Sequence, residues 1–435
     1  MKNYYFFLLL FFFYKGNAQY TVIPDEDFEQ ELINQGIDSD GIINHLVLNS
    51  DINTVVSLNI NGSNLHNIIG IEGFTQLESI NIRNCTNLTS LDFSNNLNLI
   101  NLSCNDNSLT SINITNNIAL QGLICVRNQL TTLDVSNNIN LTTLSCEHNL
   151  LTSLDVSQNV NLTLLFCYNN QLTSLDIFAN PALLLLSCGF NPLTHLTITN
   201  VPQFYRLHCT NTQLITLDLS NVPSIKELFC QNNLLTTLDF ANNPELKALF
   251  CMNNINLSTL NLNSNSFLNI LHCNNNSLSS VLLQNGSNTL LNGQYVTNPG
   301  SVTLIYDDRF KVTNNPNLSC IFVDDVANCN ANWLEKDATT HYVSTQQECE
   351  AILKNDEFTA SSFTLYPNPV HNMLYIENNT NTLIQKIVVY DIMGKTIMEQ
   401  IGNIAQIDFS NVTKGLYFVK ISSEKEIMVK KIMRR

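Results

Sequence analysis

LQGLICVRNQLTTLDVSNNIN, residues 120–140, is the stretch that decides the fold. Its frame is Leu120-x-x-Leu123-x-Cys125-x-x-Asn128-x-Leu130-x-x-Leu133-Asp134-Val135-x-x-Asn138. Both halves follow one grammar, L-x-x-L-x-apolar-x-x-N, so a 10-residue motif stands in tandem with an 11-residue one. Leu123 and Cys125 are two apart and share one face of a short strand, and the same spacing predicts a second strand through Leu133 and Val135. Each half sends its apolar pair inward and then bends. A single turn of this kind cannot bury its pairs, whereas stacked turns bury them in a continuous column.

The stack is written in the cysteines. Cys104, Cys125, Cys146, Cys167, Cys188, Cys209, Cys230 and Cys251 recur every 21 residues without a slip, and Cys273 follows after 22. A fixed period in this range means a solenoid, here of about twelve turns spaced ~4.8 Å as parallel strands. A second ladder runs three places behind the first: Asn107, Asn128, Asn149, Asn170, Asn191, Asn233, Asn254 and Asn276, broken at Thr212. A bend leaves backbone groups that no strand satisfies, and a buried amide has the donors and acceptor to fill them. Less regular turns precede the ladder at Leu58/Ile60 and Ile80/Ile82, and a late one is expected at Ile321/Val323, so the solenoid spans 52–325. Cys85 stands where the Asn belongs.

Thirteen cysteines suggest a disulfide scaffold, but the chain of 435 residues is too long to need one. Thiols pointing the same way from adjacent strands fit disulfide geometry badly. A column also offers no tetrahedron for zinc. Free Cys suits a small buried apolar position, so the ladder is read as reduced core and no metal is expected. Cys320, Cys329 and Cys349 lie outside it and flank Trp333 in a non-repeating stretch, 326–354, where a cap should close the solenoid. One disulfide among them is expected. Cys320–Cys349 would lock the whole cap, although spacing does not fix the connectivity. At the other end, 19–51, a short amphipathic helix over 25–35 would lay Phe28, Leu32 and Ile33 on the first turn. Asp38-Ser39-Asp40-Gly41 has half the carboxylates of a calcium loop and reads as a turn.

In each strand the residue between Leu and Cys points outward. That column reads Ser103, Ile124, Ser145, Phe166, Ser187, His208, Phe229, Phe250 and His272, with Tyr168 and Met252 in the next column. Phe166, Tyr168, His208, Phe229, Phe250, Met252 and His272 therefore form the candidate ligand-binding face, which Phe190 and Tyr205 could flank; an exposed apolar patch of this kind marks partner sites. The opposite half-turns carry Asp92, Asp134, Asp155, Asp176, Asp218 and Asp239. Stacked like charges repel, so hydroxyl or backbone N–H bonds must offset them, a row of calcium ions being the alternative. The eight His residues are scattered, and no nucleophile elbow, zinc-helix or phosphate-loop motif occurs. No catalytic residue and no cofactor is expected.

Charge supports the same picture. Asp, Glu, Lys and Arg make up 13% of residues, about half the usual share. The net charge of −16 argues against nucleic acid as a ligand. Residues 1–18 read as a signal peptide: Lys2 is followed by an apolar run from Tyr4 to Tyr14, and Gly16 and Ala18 place the cut before Gln19. The run is too short to span a membrane, and no later segment is long enough. Composition shifts near 355. Residues 19–360 carry 9 bases and 30 acids, and 361–435 carry 9 bases and 6 acids. Residues 355–362 read as a linker. The tail, 363–435, then shows short strand-like runs at 373–377, 384–391, 395–399, 406–409, 415–421 and 425–432, as in a small antiparallel sandwich.

The repeat resembles the nested type of bacterial leucine-rich repeat, known as IRREKO. Similar repeat proteins carry an NPNLSC…C stretch like that ending in Cys320, which supports the Cys320–Cys349 pair. The tail resembles the C-terminal sorting domain of type IX secretion substrates of Bacteroidota. Tyr366-Pro367-Asn368-Pro369-Val370, the 389–395 run with Gly394, the Gly415-Leu416-Tyr417 run, and the basic end with Lys430 and Lys431 carry that likeness. The resemblance implies an address read by the secretion machinery and removed by its sortase. The product would then be released or attached through a lipopolysaccharide, outside the cell or on its outer-membrane surface. The expectation is a mainly β protein, a leucine-rich-repeat solenoid with capped ends followed by an Ig-like sandwich. It would bind an extracellular protein or glycan on its strand face, as an adhesin or accessory surface factor. A structural surface-layer component, or an enzyme using the solenoid as scaffold, are the alternatives.

Overall fold

A computed structural model describes residues 19–62, 64–297, 305–357, 363–378, 383–392, 394–424 and 427–435. The signal-peptide reading of 1–18 and part of the stretch 355–362 lie outside these residues. Two compact units divide between Gln346 and Gln347.

The first unit is the solenoid. Its long sheet is parallel and runs in chain order from Ser57–Asn61 to Ser79–Arg83, Asn101–Ser103, Gly122–Ile124 and onward to Ala248–Phe250, Ile270–His272 and Phe310–Lys311. Adjacent turns pair without offset: Leu102 faces Leu123, which faces Leu144. Every cysteine from Cys104 to Cys273 is fully buried, with the flanking leucines, in one continuous core. The register also carries Cys85 into the Asn column, where its N–H donates to Asn107 Oδ1 at 2.7 Å.

The ladder asparagines close the bend as their chemistry demands. Asn149 Nδ2 donates to the carbonyls of Cys125 and Cys146 at 2.9 and 3.1 Å, and its Oδ1 accepts the N–H of Leu130 at 3.1 Å. The Asp column is held locally: Asp134, Asp155, Asp176 and Asp218 each accept the N–H two residues on, at 2.8–2.9 Å. Ser136, by its hydroxyl and N–H, holds Asp134 below the usual carboxylate range, and the bonds from Ser157 and Ser220 do the same for Asp155 and Asp218. Asn113 and Asn261 replace the aspartate in two turns and accept the same N–H, at 3.3 and 3.1 Å. The column therefore needs an oxygen acceptor rather than a charge.

Three elements differ from the sequence reading. The half-turn through Leu133 and Val135 is not a strand; strands on that side form only in places, such as Ser90–Asp92 with Ser111–Asn113. The late turn at Ile321/Val323 is present, but its strand lies on the other side and the ladder does not pass through it. The ladder resumes at Phe310–Lys311, opposite Leu271–His272, with Val312 and Asn315 in the Cys and Asn positions. The strand Cys320–Val323 belongs to the other side, between Ser280–Leu283 and His341–Val343. Finally, the helix Gln346–Glu357 runs past residue 354 into the supposed linker.

Both ends are capped. Asp25 starts the helix Glu26–Asn34 by accepting the N–H of Asp27 and Phe28, and its other oxygen accepts from His66 and Asn67 at 2.8 and 3.0 Å. Phe28 and Leu32 are buried against the first turns. Asp40 Oδ1 accepts Ile42 N–H at 2.9 Å, which makes 38–41 a turn. At the far end Trp333 is buried on Phe310. Cys320 and Cys349 are disulfide-bonded, and the other eleven cysteines are free.

Burial pushes the thiols of Cys125, Cys209 and Cys251 up to about 12. A thiol that is neither exposed nor ionised does not react. A thiol-disulfide indicator dye should therefore find almost no free thiol in the native chain at pH 8 and eleven in guanidinium chloride. Fast labelling of several ladder cysteines without denaturant would contradict the buried column.

The second unit holds two antiparallel sheets. One contains Phe363–Tyr366, Met373–Asn378 and Gln406–Asp408; the other runs Thr396–Ile401, Ile384–Asp391, Gly415–Ser423, Ile427–Arg434. Their inner faces share a core that includes Phe363, Leu374, Ile387, Val389, Phe409 and Val419.

Candidate functional site

The strand face is built by register. Residues 103, 124, 145, 166, 187, 208, 229, 250, 272 and 311 stand opposite one another in successive strands, so their side chains form one outward file. Four rings of that file are in contact. His208 and Phe229 have centroids 4.0 Å apart, Phe229 and Phe250 stack at 4.7 Å and 6°, and Phe250 meets the edge of His272 at 4.9 Å. Arg206 pairs with Glu227 in the neighbouring file at 2.5 Å.

The candidate residues divide into separate groups. Phe250 and His272 are not exposed as the sequence suggested: they are 8% and 3% accessible. The strand Ile305–Asp308, antiparallel to Gln294–Thr297, leads into this end of the file. It brings the Asp308 carbonyl to 2.7 Å from His272 Nε2, while Phe229 covers one side of Phe250. His208 and Phe229 remain half-buried and open to a partner. Burial, with Arg206 beside it, pulls His208 down to about 4, so the ring is neutral at neutral pH. Phe166 is half-buried beyond Ser187, two turns before the stack begins. Tyr168 belongs to a different group: it lies edge-on to His148 at 5.1 Å and to Phe190 at 5.2 Å. Met252 is half-buried four repeats further along the same file as Tyr168. Among the described residues no cluster of three or more His, Cys, Asp or Glu could hold a metal.

Sequence reasoning missed an exposed ridge on a bend. Leu97, Ile118, Ile139 and Val160 are exposed at the same place in four successive turns, followed by Pro181, Pro202, Pro223 and Pro244. The signal was an apolar residue every 21 residues from Leu97 to Pro244, in most turns one place after a second-half asparagine.

In the second unit the motif residues, distant in sequence, meet. Asn368 Nδ2 donates to Lys431 O at 2.8 Å and its Oδ1 accepts Met433 N–H at 2.9 Å. Val370 exchanges backbone bonds with Met433 and Arg435, so Pro367-Asn368-Pro369 is clamped along the edge of the last strand. Gly394, at φ 75°, makes the turn after Asp391, where its N–H donates to Asp391 O at 3.1 Å. Tyr417 is buried and its hydroxyl donates to Thr413 O at 2.8 Å, four residues upstream of it and just before Gly415. Lys430 and Lys431 are exposed.

Residues 364–435 match the family described as secretion system C-terminal sorting domain. This family match falls within the second unit. The sequence matches none of the curated proteins. Among solved structures the chain is similar to the functional domain of InlJ from Listeria monocytogenes, which includes a cysteine ladder. That likeness has 22% identity and a TM-score of 0.46, and covers 96% of this chain and 99% of that one. It is also similar to an internalin, inlF, from the same organism, with 19% identity and a TM-score of 0.47 over 74% of this chain and 96% of that one. No helix of the described residues is long and apolar enough to cross a membrane. The parallel 21-residue stack, its asparagine ladder and the matched tail together make this chain a leucine-rich-repeat solenoid carrying a type IX C-terminal sorting domain, which marks it as secreted or displayed on the outer-membrane surface.

Proposed function

We propose that the protein is a binding protein rather than an enzyme, and that it recognises an extracellular protein partner on the strand face of its later turns. The observation that carries this reading is the half-buried His208–Phe229 pair beside the Arg206–Glu227 ion pair. Aromatic side chains ringed by charged ones on a continuous sheet are the composition of protein-binding hot spots. Burial keeps the His208 ring neutral, Glu227 is engaged by Arg206, and the neighbouring Cys209 is buried in the core. On this reading the secretion machinery recognises the tail, its sortase removes it, and the body is released or held through a lipopolysaccharide.

The test is an array of purified secreted and cell-surface proteins probed with the full chain. At least one should be captured, and Phe166→Ser with Phe229→Ser should weaken capture more than tenfold without shifting the melting temperature by more than a few degrees. Equal capture by the double variant would refute the strand face as the site. The address is tested separately: a chain ending at residue 362 should accumulate inside the cell envelope, and normal surface delivery would refute the tail's role.

A further inference from the structure

We propose that the bend around Phe190 is a binding site for a neutral saccharide, with the Phe190 ring as its stacking platform and the amides of Asn211 and Gln213 as its hydrogen-bonding rim. It lies off the ring stack and does not depend on the strand-face reading.

The first observation is conformational. The residue before each position of the asparagine ladder has positive φ: Asn169, Asn211, Asn232, Asn253 and Asn275 at φ 54–59°, and Asp106, Arg127 and His148 at φ 53–56°. Asn, Asp and His are enriched in this region, whereas Phe is not. Phe190 occupies it at φ 52° and leaves its ring 46% exposed. The ring gains little from burial, so neither backbone preference nor core packing explains an aromatic residue here. Strain of this kind is retained where a site uses it.

The second observation is that other departures from the repeat fall beside it. Thr212, the one break in the asparagine ladder from Asn107 to Asn276, lies one turn on. Its shorter side chain gives its hydroxyl to Cys209 O at 3.3 Å and to Asn233 Oδ1. Gly189 sits next to Phe190, where a Cβ would come within 2.7 Å of Thr210 O. Three departures from the repeat thus meet at one spot. They border a shallow concavity of about 420 Å³ lined by Asn169, Phe190, Pro192, Asn211, Thr212 and Gln213 among others.

The lining chooses the ligand. None of it is ionisable, which disfavours phosphates, carboxylates and amines. The C–H face of a pyranose packs on the electron-rich face of an aromatic ring. A side-chain amide both donates and accepts, and so matches a pair of neighbouring hydroxyls. Among the described residues the amides of Asn211 and Gln213 make no hydrogen bond within the chain and are available. The platform is braced beforehand: Tyr168 meets Phe190 edge-on at 72°, and His148 meets Tyr168 at 76°. Such bracing lowers the ordering cost of binding.

The test uses the full chain and five neutral tetrasaccharides, from cellulose, laminarin, maltose polymer, mannan and chitin, with tetragalacturonate as the acidic comparator. Saturation-transfer NMR and calorimetry read binding with no protein partner present, so failure here leaves the strand-face proposal standing. At least one neutral tetrasaccharide should bind, Phe190→Ala should weaken it tenfold or more, and Gln213→Ala should weaken it several-fold. Phe190→Asn should lose the ligand yet melt no lower than the parent, because Asn suits the backbone there. Binding by none of the neutral sugars, binding only of tetragalacturonate, or unchanged binding in Phe190→Ala would each overturn the assignment.

Discussion

Trp333→Ala should lower the unfolding free energy of the solenoid by about 3–5 kcal/mol, the usual cost of removing a fully buried tryptophan. Trp333 stacks on Phe310 at 4.4 Å, meets Tyr342 edge-on at 5.6 Å, and donates from Nε1 to Asn292 Oδ1 at 2.9 Å. Its own carbonyl accepts the Tyr342 hydroxyl at 2.7 Å. Phe310 belongs to the last strand of the long sheet, so the tryptophan is the lid on the open end of the core. In a stack where each turn leans only on its neighbours, an uncovered end frays and the loss spreads inward. Trp333→Phe keeps most of the stacking and leaves Asn292 one donor short, which should cost about 1–2 kcal/mol. Urea titration followed by circular dichroism measures both. Because Trp333 is the only tryptophan, its fluorescence in the parent reports the cap alone. A loss below about 1 kcal/mol for Trp333→Ala would mean that the cap is dispensable.

Legibility in the sequence follows how local each interaction is. The cysteine and asparagine ladders were readable because every turn repeats the same local problem, and one period exposes the solution. The end of the ladder was not, for two reasons at once. Val312 replaces the cysteine, and the insertion places it 39 residues after Cys273, so no period points to it. The strand-face file was legible by alternation, since period two decides direction. Its exposure was not, because chain outside the repeat reaches His272. The tail motifs show the same limit. Tyr366-Pro367-Asn368-Pro369-Val370 and the basic end were each recognisable, but that Asn368 clamps Lys431 and Met433 is a contact across 63–65 residues that neither motif announces. Phe190 was visible as an aromatic residue. That it sits in a file of left-handed residues becomes apparent only when the turns are stacked.

The two asparagine files of the solenoid allow a sharper experiment, because they hold the same side chain in different states of satisfaction. Asn149→Ala should cost about 3–4 kcal/mol, and Asn138→Ala about half as much. Both residues are buried, and both donate from Nδ2 to two carbonyls: Asn149 to Cys125 and Cys146, Asn138 to Ile114 and Asn117 at 3.1 and 2.9 Å. They differ at the oxygen. Asn149 Oδ1 accepts Leu130 N–H at 3.1 Å, whereas Asn138 Oδ1 is buried without a partner. Removing Asn149 therefore strands a backbone donor as well as two acceptors, while removing Asn138 also relieves the desolvation of an unpaired oxygen. The chain contains its own control at Thr212, whose hydroxyl keeps the bond to Cys209 O that a ladder asparagine would make. Asn149→Thr should accordingly recover part of the loss and fall between the parent and Asn149→Ala. Equilibrium urea unfolding of the three variants gives the ranking. If Asn138→Ala proves as costly as Asn149→Ala, the oxygen contact is worth nothing, and the carbonyl bonds alone account for the ladder.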